Sequence, residues 1–560
     1  MSGYPQLRLA ALVACGTRSV IGAVFGPATT GELEYARRLA ADLRAGMLLL
    51  GDRNFASAAL LNHLAATGAD LLVRCESMTA ATRGRGQDQR ARLAADADGR
   101  LFAYELEVEA DVGAYPHLGA GLPMQTAWMA TGPYATPQVH ATVRSVLTNT
   151  MVTYPYRGAG RPEAAIALER AMDQLARELD IDPAELRRRN FIPPHRFPYR
   201  TPTGRCYDSG NYVAALDLAL ETLDYPGWRA EQARRRTDPN ALPLGIGLSC
   251  YVERSGREPG GLHEFGGVEA AADGTVVVRC GAACAGQGCE TVFPALVAEA
   301  LGVDASRVRL VEGDTGEQPE GLGSFASRSA QVAGAMLRHT SRLLVAEARE
   351  RAARLWDVPS EAVGWSDGAA QLGPSGSQAI GLAELVRATG PLRVDDRFET
   401  GMAFPFGTHA VVAEVDPELG TVRLLRVVAV DDCGVQLNPV IVRGQAFGSA
   451  VQGIGQALYE GIPYRDDGVP LLASGLLDYL LPTFTEVPSI EVRDTCTPGP
   501  GTPLGAKGAG ESGCIGTPAA VVNAVVDALR IADPDLLQMP LTPDVVWRAA
   551  RAPKLTEAPR

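Results

Sequence analysis

Residues 505–516 read Gly-Ala-Lys-Gly-Ala-Gly-Glu-Ser-Gly-Cys-Ile-Gly, GAKGAGESGCIG. The stretch holds a single carboxylate, Glu511, with glycines on both sides, and an apolar run follows in which Thr517 and Pro518 are placed to cap and begin a helix ending at Leu529. Glycines let the main chain come close to a large object and take up positive φ. The pattern therefore reads either as a loop packed against a ligand or as a surface turn with a solvated glutamate.

Working outward, glycine-bearing loops recur at other element ends: Tyr156 to Glu163 (YRGAGRPE) ahead of a helical pattern, Gly286-Gln287-Gly288 between the strand-like VVVRCG and the helical VFPALVAEAL, and Gly321 to Arg328 (GLGSFASR) ahead of a helix through Ala335. Each helix N-terminus carries unpaired N–H groups and partial positive charge, so each is a potential seat for an anion or phosphate. Each is also compatible with an ordinary turn. Together they suggest a large phosphate-bearing cofactor gripped from several sides. No G-x-G-x-x-G stands behind a first strand with a downstream acid, and no G-K-[ST] occurs, which excludes the usual dinucleotide and ATP loops.

The 560 residues are 46% hydrophobic and 21% charged, a composition of soluble globular proteins with several domains. No run of about eighteen uncharged apolar residues occurs, so no membrane span is expected. The opening MSGYPQLRLAALVACG lacks the layout of a secretory signal, and the protein is expected to be cytoplasmic. A net charge of −13 disfavours a general nucleic-acid binder, with Arg83 to Arg90 as a local basic exception. The ten cysteines do not form a secreted framework, and Cys280, Cys284 and Cys289 lack paired spacing for a metal.

Asp98-Gly99, Asp273-Gly274 and Asp416-Pro417-Glu418-Leu419-Gly420 each sit between apolar strands and predict hairpins. Leu168, Met172, Leu175 and Leu179 share one helical face, and Asp182-Pro183-Ala184-Glu185 combines an N-cap, a first-turn proline and an N3 carboxylate. Tyr225 to Pro243, polar and Arg-rich, reads as a loop and boundary before the strand GIGLSCYVE. The fold class is α+β with layered domains.

In their order along the chain, YRGAGRPEA, GQG followed by ET, GSFASRSAQ, DDCGVQLNPVIVRGQAFGSAVQGIGQALYEG and GAKGAGESG resemble the molybdopterin-binding large subunit of the xanthine dehydrogenase, aldehyde oxidase and carbon monoxide dehydrogenase family, over about Glu76 to Val546. The resemblance implies a molybdenum–molybdopterin cofactor in its cytosine dinucleotide form, and a hydroxylase acting on an aldehyde or N-heterocycle with water as oxygen source. It implies Glu511 as general base, a role that burial favours by raising a carboxyl pKa toward the working range. Gly286, Gln287, Gly288, Ser324, Ala326, Ser327, Gln445, Lys507, Gly508, Ala509 and Gly510 would contact the cofactor. Arg85, Arg157, Gly158 and Ala159 would lie near substrate, Arg157 with a catalytic role, where a guanidinium stabilises developing oxyanion charge; a solvated basic turn is the other reading of Arg85. The loop at Arg157 resembles the form II version. It lacks the cysteine of the copper-dependent carbon monoxide oxidisers, which argues against that substrate. The metal is held by the pterin dithiolene and needs no protein ligand. Electrons would pass to an iron-sulfur small subunit and an FAD-binding medium subunit, with no membrane or nucleic-acid partner.

The family's large subunit carries, ahead of the matched region, a hammerhead-like domain, a further glycine-rich loop and an active-site glutamine. Here those places are taken by CGTRSVIGAVFG, EYARRLAADLRAGMLLLGDRNF and ATGADLLVRCE, which resemble the core of DDE-type insertion-sequence transposases. Asp52 would be the second of three metal-binding acids there; alone it cannot support two-metal phosphoryl transfer, and beside Arg53 it reads as structural. The expected organisation is a transposase-like α/β fragment at 1–76, the remainder of a first molybdopterin-binding domain at 77–240, a second at 241–548 and a tail at 549–560. A non-catalytic truncated fusion remnant is the alternative to the hydroxylase; a DDE nuclease is the third reading.

Overall fold

The computed structural model describes residues 7–13, 20–27, 32–44, 48–51, 60, 63–64, 66–67, 70–73, 84–256, 263–373, 378–464 and 479–553. Asp52, Arg53 and the junction at Glu76 lie outside the described residues. The chain divides into two units, one made of Met1–Arg83 with Asn149–Val152 and Ile462–Tyr479, the other of Gly84–Thr148, Thr153–Gly461 and Leu480–Arg560. In the first, β1 (Leu7–Val13) and β2 (Val20–Pro27) form an antiparallel pair. The helix α1 (Glu32–Leu39) buries Tyr35 and Leu39, and β3 (Leu48–Gly51) runs parallel to β4 (Asp70–Val73).

The second unit opens with β5 (Gln87–Ala95) and β6 (Leu101–Asp111), joined at Asp98-Gly99 as expected. Asp96 clamps that turn by accepting from Arg100 N at 2.9 Å, and Gly99 takes φ +78. After α2 (Leu122–Trp128), β7 (Gln138–Val146) adds to β6 in parallel. Helix α3 (Arg161–Glu178) buries Leu168 and Met172, and α4 (Pro183–Asn190) starts on Asp182, whose carboxylate accepts from Ala184 N at 2.8 Å and Glu185 N at 3.2 Å.

Helix α5 (Tyr212–Leu223) leads into α6 (Tyr225–Arg236), which occupies the segment expected to be a loop. Its polarity hid it. Glu231 pairs with Arg234 and Arg235 along one face, while Gln232 is buried and donates to Leu244 O at 2.9 Å.

Beyond α6 come β8 (Leu244–Val252), β9 (Glu264–Ala270), β10 (Val276–Cys280), α7 (Cys289–Leu301), β11 (Val308–Val311) and α8 (Gly334–Trp356). They are followed by β12 (Leu392–Phe398), β13 (Phe406–Asp416), β14 (Thr421–Asp432), α9 (Pro439–Leu458), β15 (Ile490–Thr495), α10 (Ser512–Leu529) and α11 (Pro543–Ala550). One four-stranded sheet has the order β8-β13-β14-β15, the other β11-β10-β9-β12. The hairpins at Asp273-Gly274 and Asp416 to Gly420 are present as β9–β10 and β13–β14.

Helix α10 covers the first of these sheets and holds the site in place. A Cβ on Gly245 would stand 1.9 Å from Ala524 O, and one on Gly247 would stand 2.0 Å from Ala520 O, so only glycine lets β8 lie this close to the helix. On its other side, Gly513 meets α9 at Ala450 and Ser449. Every residue of α10 except Asp527 and Ala528 is buried. Among the described residues it is the one helix long and apolar enough to cross a membrane, and 89% of it lies inside the protein as a core helix. It begins at Ser512, six residues before the expected start at Pro518: Thr517 is already inside the helix, and its hydroxyl pairs with His409 Nδ1 at 2.8 Å instead of capping.

Candidate active site

Glu511 is the residue immediately before α10, yet its carboxylate does not cap its own helix. It turns to the 156–163 loop, accepting from Gly158 N at 2.9 Å and from the Arg161 guanidinium, with Ser327 Oγ 3.5 Å away. The Glu511 side chain is 13% exposed and that of Arg161 2%. Loops 350 and 184 residues away in sequence thus meet at one carboxylate.

Arg157 is the tether of this arrangement. Its Nε donates to Gly510 O, and its two terminal nitrogens donate to Gln452 Oε1 at 3.1 Å and Gln445 Oε1 at 3.0 Å. Gln445 and Gln452 lie on α9, two turns apart in helical register. Arg85 supports the same loop from behind, donating to Arg157 O at 2.7 Å and Gln456 Oε1 at 3.0 Å, stacking on Tyr156 and facing Glu163. It is not a solvated turn.

Backbone strain collects here. Arg85 (φ 64), Ala159 (φ 41), Ala326 (φ 51) and Ser327 (φ 52) are non-glycine residues in the left-handed region, each costing on the order of 1–3 kcal/mol unless its surroundings hold it. Gly508 passes so close to Ser327 that a Cβ would lie 2.3 Å from the Ser327 Cβ, and its N–H donates to Ser255 Oγ at 3.2 Å. Gly510 lies beside Ser327 Oγ and Gln445 Oε1.

Other expected residues stand apart from Glu511. Gln287 spends its amide within its own loop, accepting from Ala285 N at 2.6 Å and donating to Ala283 O at 3.3 Å. Gly288 touches α9 at Ile441, which links the 286–288 loop to the helix that carries Gln445, while Gly286 faces open space. Ser324 is exposed and accepts from Ser329 Oγ at 2.9 Å. The Lys507 ammonium points away into the core, donating to Phe404 O at 3.3 Å over the Phe406 ring, and burial pushes its pKa down. Ala509 lines a cavity of about 270 Å³ with Asp431, Gln436, Arg443 and Arg493.

Sequence reasoning missed Arg161 and Glu253. Arg161 sits at the first position of α3, where a cation is out of place by the helix dipole, and that was its signal. Glu253 follows β8 as the acid at the end of a wholly buried strand; it is buried, Ser512 Oγ donates to its Oε2 at 3.2 Å, and its Oε1 has no hydrogen-bond partner. Burial, and then the neighbouring Glu511 charge, push Glu253 up to about 7. Ser255 and Gln331, which pair at 2.7 Å, complete the wall behind Gly508.

Residues 70–191 and 218–488 match molybdopterin cofactor-binding domain models, and residues 2–117 match a transposase DDE domain model. The chain is 34% identical to the carbon monoxide dehydrogenase large chain of Hydrogenophaga pseudoflava, over 85% of this chain and 62% of that one. It is also 34% identical to the 6-hydroxypseudooxynicotine dehydrogenase complex subunit gamma of Paenarthrobacter nicotinovorans, over 87% of this chain and 62% of the relative. The crystal structure of quinoline 2-oxidoreductase from Pseudomonas putida 86 superposes with a TM-score of 0.81 at 29% identity, covering 98% of this chain and 74% of that one. The chain thus spans about 62% of the length of these curated relatives. With its two cofactor-binding matches, its α+β layers and its loops gathered on Glu511, the chain belongs to the molybdopterin-binding large-subunit family of xanthine dehydrogenase, aldehyde oxidase and carbon monoxide dehydrogenase, joined to a transposase-type segment.

Proposed function

We propose that this chain is the molybdenum-bearing catalytic subunit of a hydroxylase that oxidises an aldehyde or an N-heterocycle, taking the oxygen from water. One observation carries the reading: the Glu511 carboxylate is held by the Gly158 N–H and the Arg161 guanidinium where loops distant in sequence meet. The residues present fit the cofactor. Gly508 marks a wall no side chain can enter, Gly286 and Gly323 face open space, and the cavity beside Ala509 carries Arg443 and Arg493 for anionic groups.

When bound, the molybdenum cofactor would supply a two-electron acceptor. Glu511 would serve as the proton acceptor of the site. Gly158 and Arg161 hold its carboxylate still, and Arg157 locks the loop against α9 and Gly510, so the base does not have to be ordered during the reaction. Gly286, Gln287, Gly288, Ser324, Ala326, Ser327, Gln445 and Lys507 to Gly510 form the cofactor's surroundings, some by side chain and some, as at Lys507, by backbone alone. We assign the cytosine dinucleotide form of the cofactor, and partner subunits carrying iron-sulfur clusters and FAD to accept the electrons. Residues 77–240 and 241–548 are assigned as the two cofactor domains. The loop without cysteine, with quinoline and 6-hydroxypseudooxynicotine named among the relatives, favours an N-heterocycle over carbon monoxide.

The test is molybdenum content and turnover of the chain co-expressed with its partner subunits. Near-stoichiometric metal in both wild type and Glu511→Gln, with turnover falling by at least about 10²-fold in the variant, is expected. A wild-type chain that takes up no molybdenum overturns the proposal in favour of a non-catalytic chain.

A further inference from the structure

Behind Glu511 lies a run of buried polar groups that the reaction as described leaves unused. Glu253 is fully buried, with Oε1 unpartnered and Oε2 accepting from Ser512 Oγ at 3.2 Å. Ser327 faces both Glu253 and Glu511. The Ser512 hydroxyl also faces the buried Tyr251 phenol, which donates to Asp431 Oδ1 at 2.5 Å. Asp431 in turn lines the cavity of about 270 Å³, receives His409 Nε2 at 3.0 Å, and keeps Oδ2 unpartnered.

Apolar packing alone does not explain this chain of groups. A buried carboxyl with an unsatisfied oxygen costs free energy, and replacing it with a hydrophobic side chain would remove that cost. From the geometry we infer that Glu253 is a second proton-carrying carboxylate of the site, which receives the proton from Glu511 through the Ser327 hydroxyl and passes it through the Ser512 and Tyr251 hydroxyls to Asp431 at the cavity wall.

The inference rests on the proposed role of Glu511. The balance is one proton in and one out. Glu511 gives its proton to Glu253 by way of Ser327, the hydroxyls each accept one proton and release their own, and Asp431 delivers one to water, leaving every group as it began. The charged groups facing Glu253 are Glu511 ahead of α10 and Arg161 on α3, with Tyr251 on its own strand. The Glu511 charge opposes a second charge on Glu253, and Arg161 favours one. Burial outweighs Arg161 and holds the Glu253 proton up to about pH 7, the range in which a relay must both take and release it.

Two measurements test the relay. In the cofactor-free full chain labelled with carbon-13 at glutamate carboxyls, one resonance should titrate near neutral pH. It should vanish in Glu253→Gln and move to lower pH in Glu511→Gln, where the opposing charge is gone. In the assembled enzyme, Glu253→Gln and Tyr251→Phe should each lower kcat by on the order of 10²-fold, leaving KM and molybdenum content unchanged, and should flatten the acid limb of the pH profile. If Glu511→Gln stops turnover while Glu253→Gln and Tyr251→Phe keep the wild-type kcat and pH profile, the relay is wrong and the base assignment stands. If Glu511→Gln turns over normally, the base assignment fails instead. Absence of any near-neutral glutamate titration in the wild type also overturns the relay.

Discussion

Glu253 keeps its proton up to about pH 7, against 4.5 for a glutamate in water, because burial disfavours its charge. Below about pH 4.5 the folded and unfolded chains both carry that proton, and the group's contribution to stability is complete. Between about 4.5 and about 7 the unfolded chain loses the proton while the folded chain keeps it, so stability falls as pH rises. The total is on the order of 3 kcal/mol. Urea midpoints measured on either side of this window should drop in the wild type and drop less in Glu253→Gln. Asp173, partly buried and pushed up to about 6 by its desolvation, contributes to the slope in both proteins, so the difference between them is the quantity to read. At this scale Glu511 was legible, because a lone acid among glycines is a local pattern. Glu253 was not, since the hydroxyl that contacts it comes from 259 residues further along the chain. Lys507 sits inside the same local pattern, yet its side chain answers to Phe404 and Phe406, which no spacing could indicate.

Among the elements, α10 and β8 set the position of Glu511, and their approach is controlled by two glycines. Gly247→Ala would drive a Cβ to 2.0 Å from Ala520 O, a backbone atom that cannot swing aside. Thermal denaturation should show a loss of about 1–3 kcal/mol or more, as for other overpacked cores. Gly444→Ala on α9 is the contrasting case: a Cβ there meets nothing within 4 Å, and alanine should stabilise the helix by roughly 0.5–1 kcal/mol. Equal losses at both positions would mean that close approach is not what β8 requires of Gly247. Elements whose signals are local were readable in the sequence: the Asp182 cap, the turn at Asp98-Gly99 and the face of Leu168 and Met172. Helix α6 was not, because its buried side is little more than Tyr225 and Gln232, and its anchor, Asp527, accepts from Gln232 at 2.6 Å and from Ile246 N at 2.9 Å across nearly 300 residues of chain. The early start of α10 escaped for a related reason. Thr517 and Pro518 look like a helix start in isolation, but His409 claims the threonine hydroxyl and the helix already runs from Ser512.

For the molecule as a whole, the cofactor reading has a thermodynamic consequence separate from turnover. The loops at 157–161, 324–327 and 508–511 are joined at present through Arg161, Ser327 and Glu511, while the 286–288 loop reaches the group only through Ile441 on α9. A cofactor filling the space between them would bind the folded chain and not the unfolded one. It would then stabilise the fold by about 2.7 kcal/mol at a hundredfold excess over Kd, and more for tighter binding. The chain purified with molybdenum should therefore unfold several degrees above the same chain stripped of it. Glu511→Gln should keep most of that difference, because it preserves the side chain's shape and its acceptor for the Gly158 N–H. Gly508→Ala should lose it, since the added Cβ pushes the 508–511 loop away from Ser327. A metal-loaded chain that melts no higher than the stripped one would mean that the cofactor is not gripped by these loops, however much molybdenum the preparation contains.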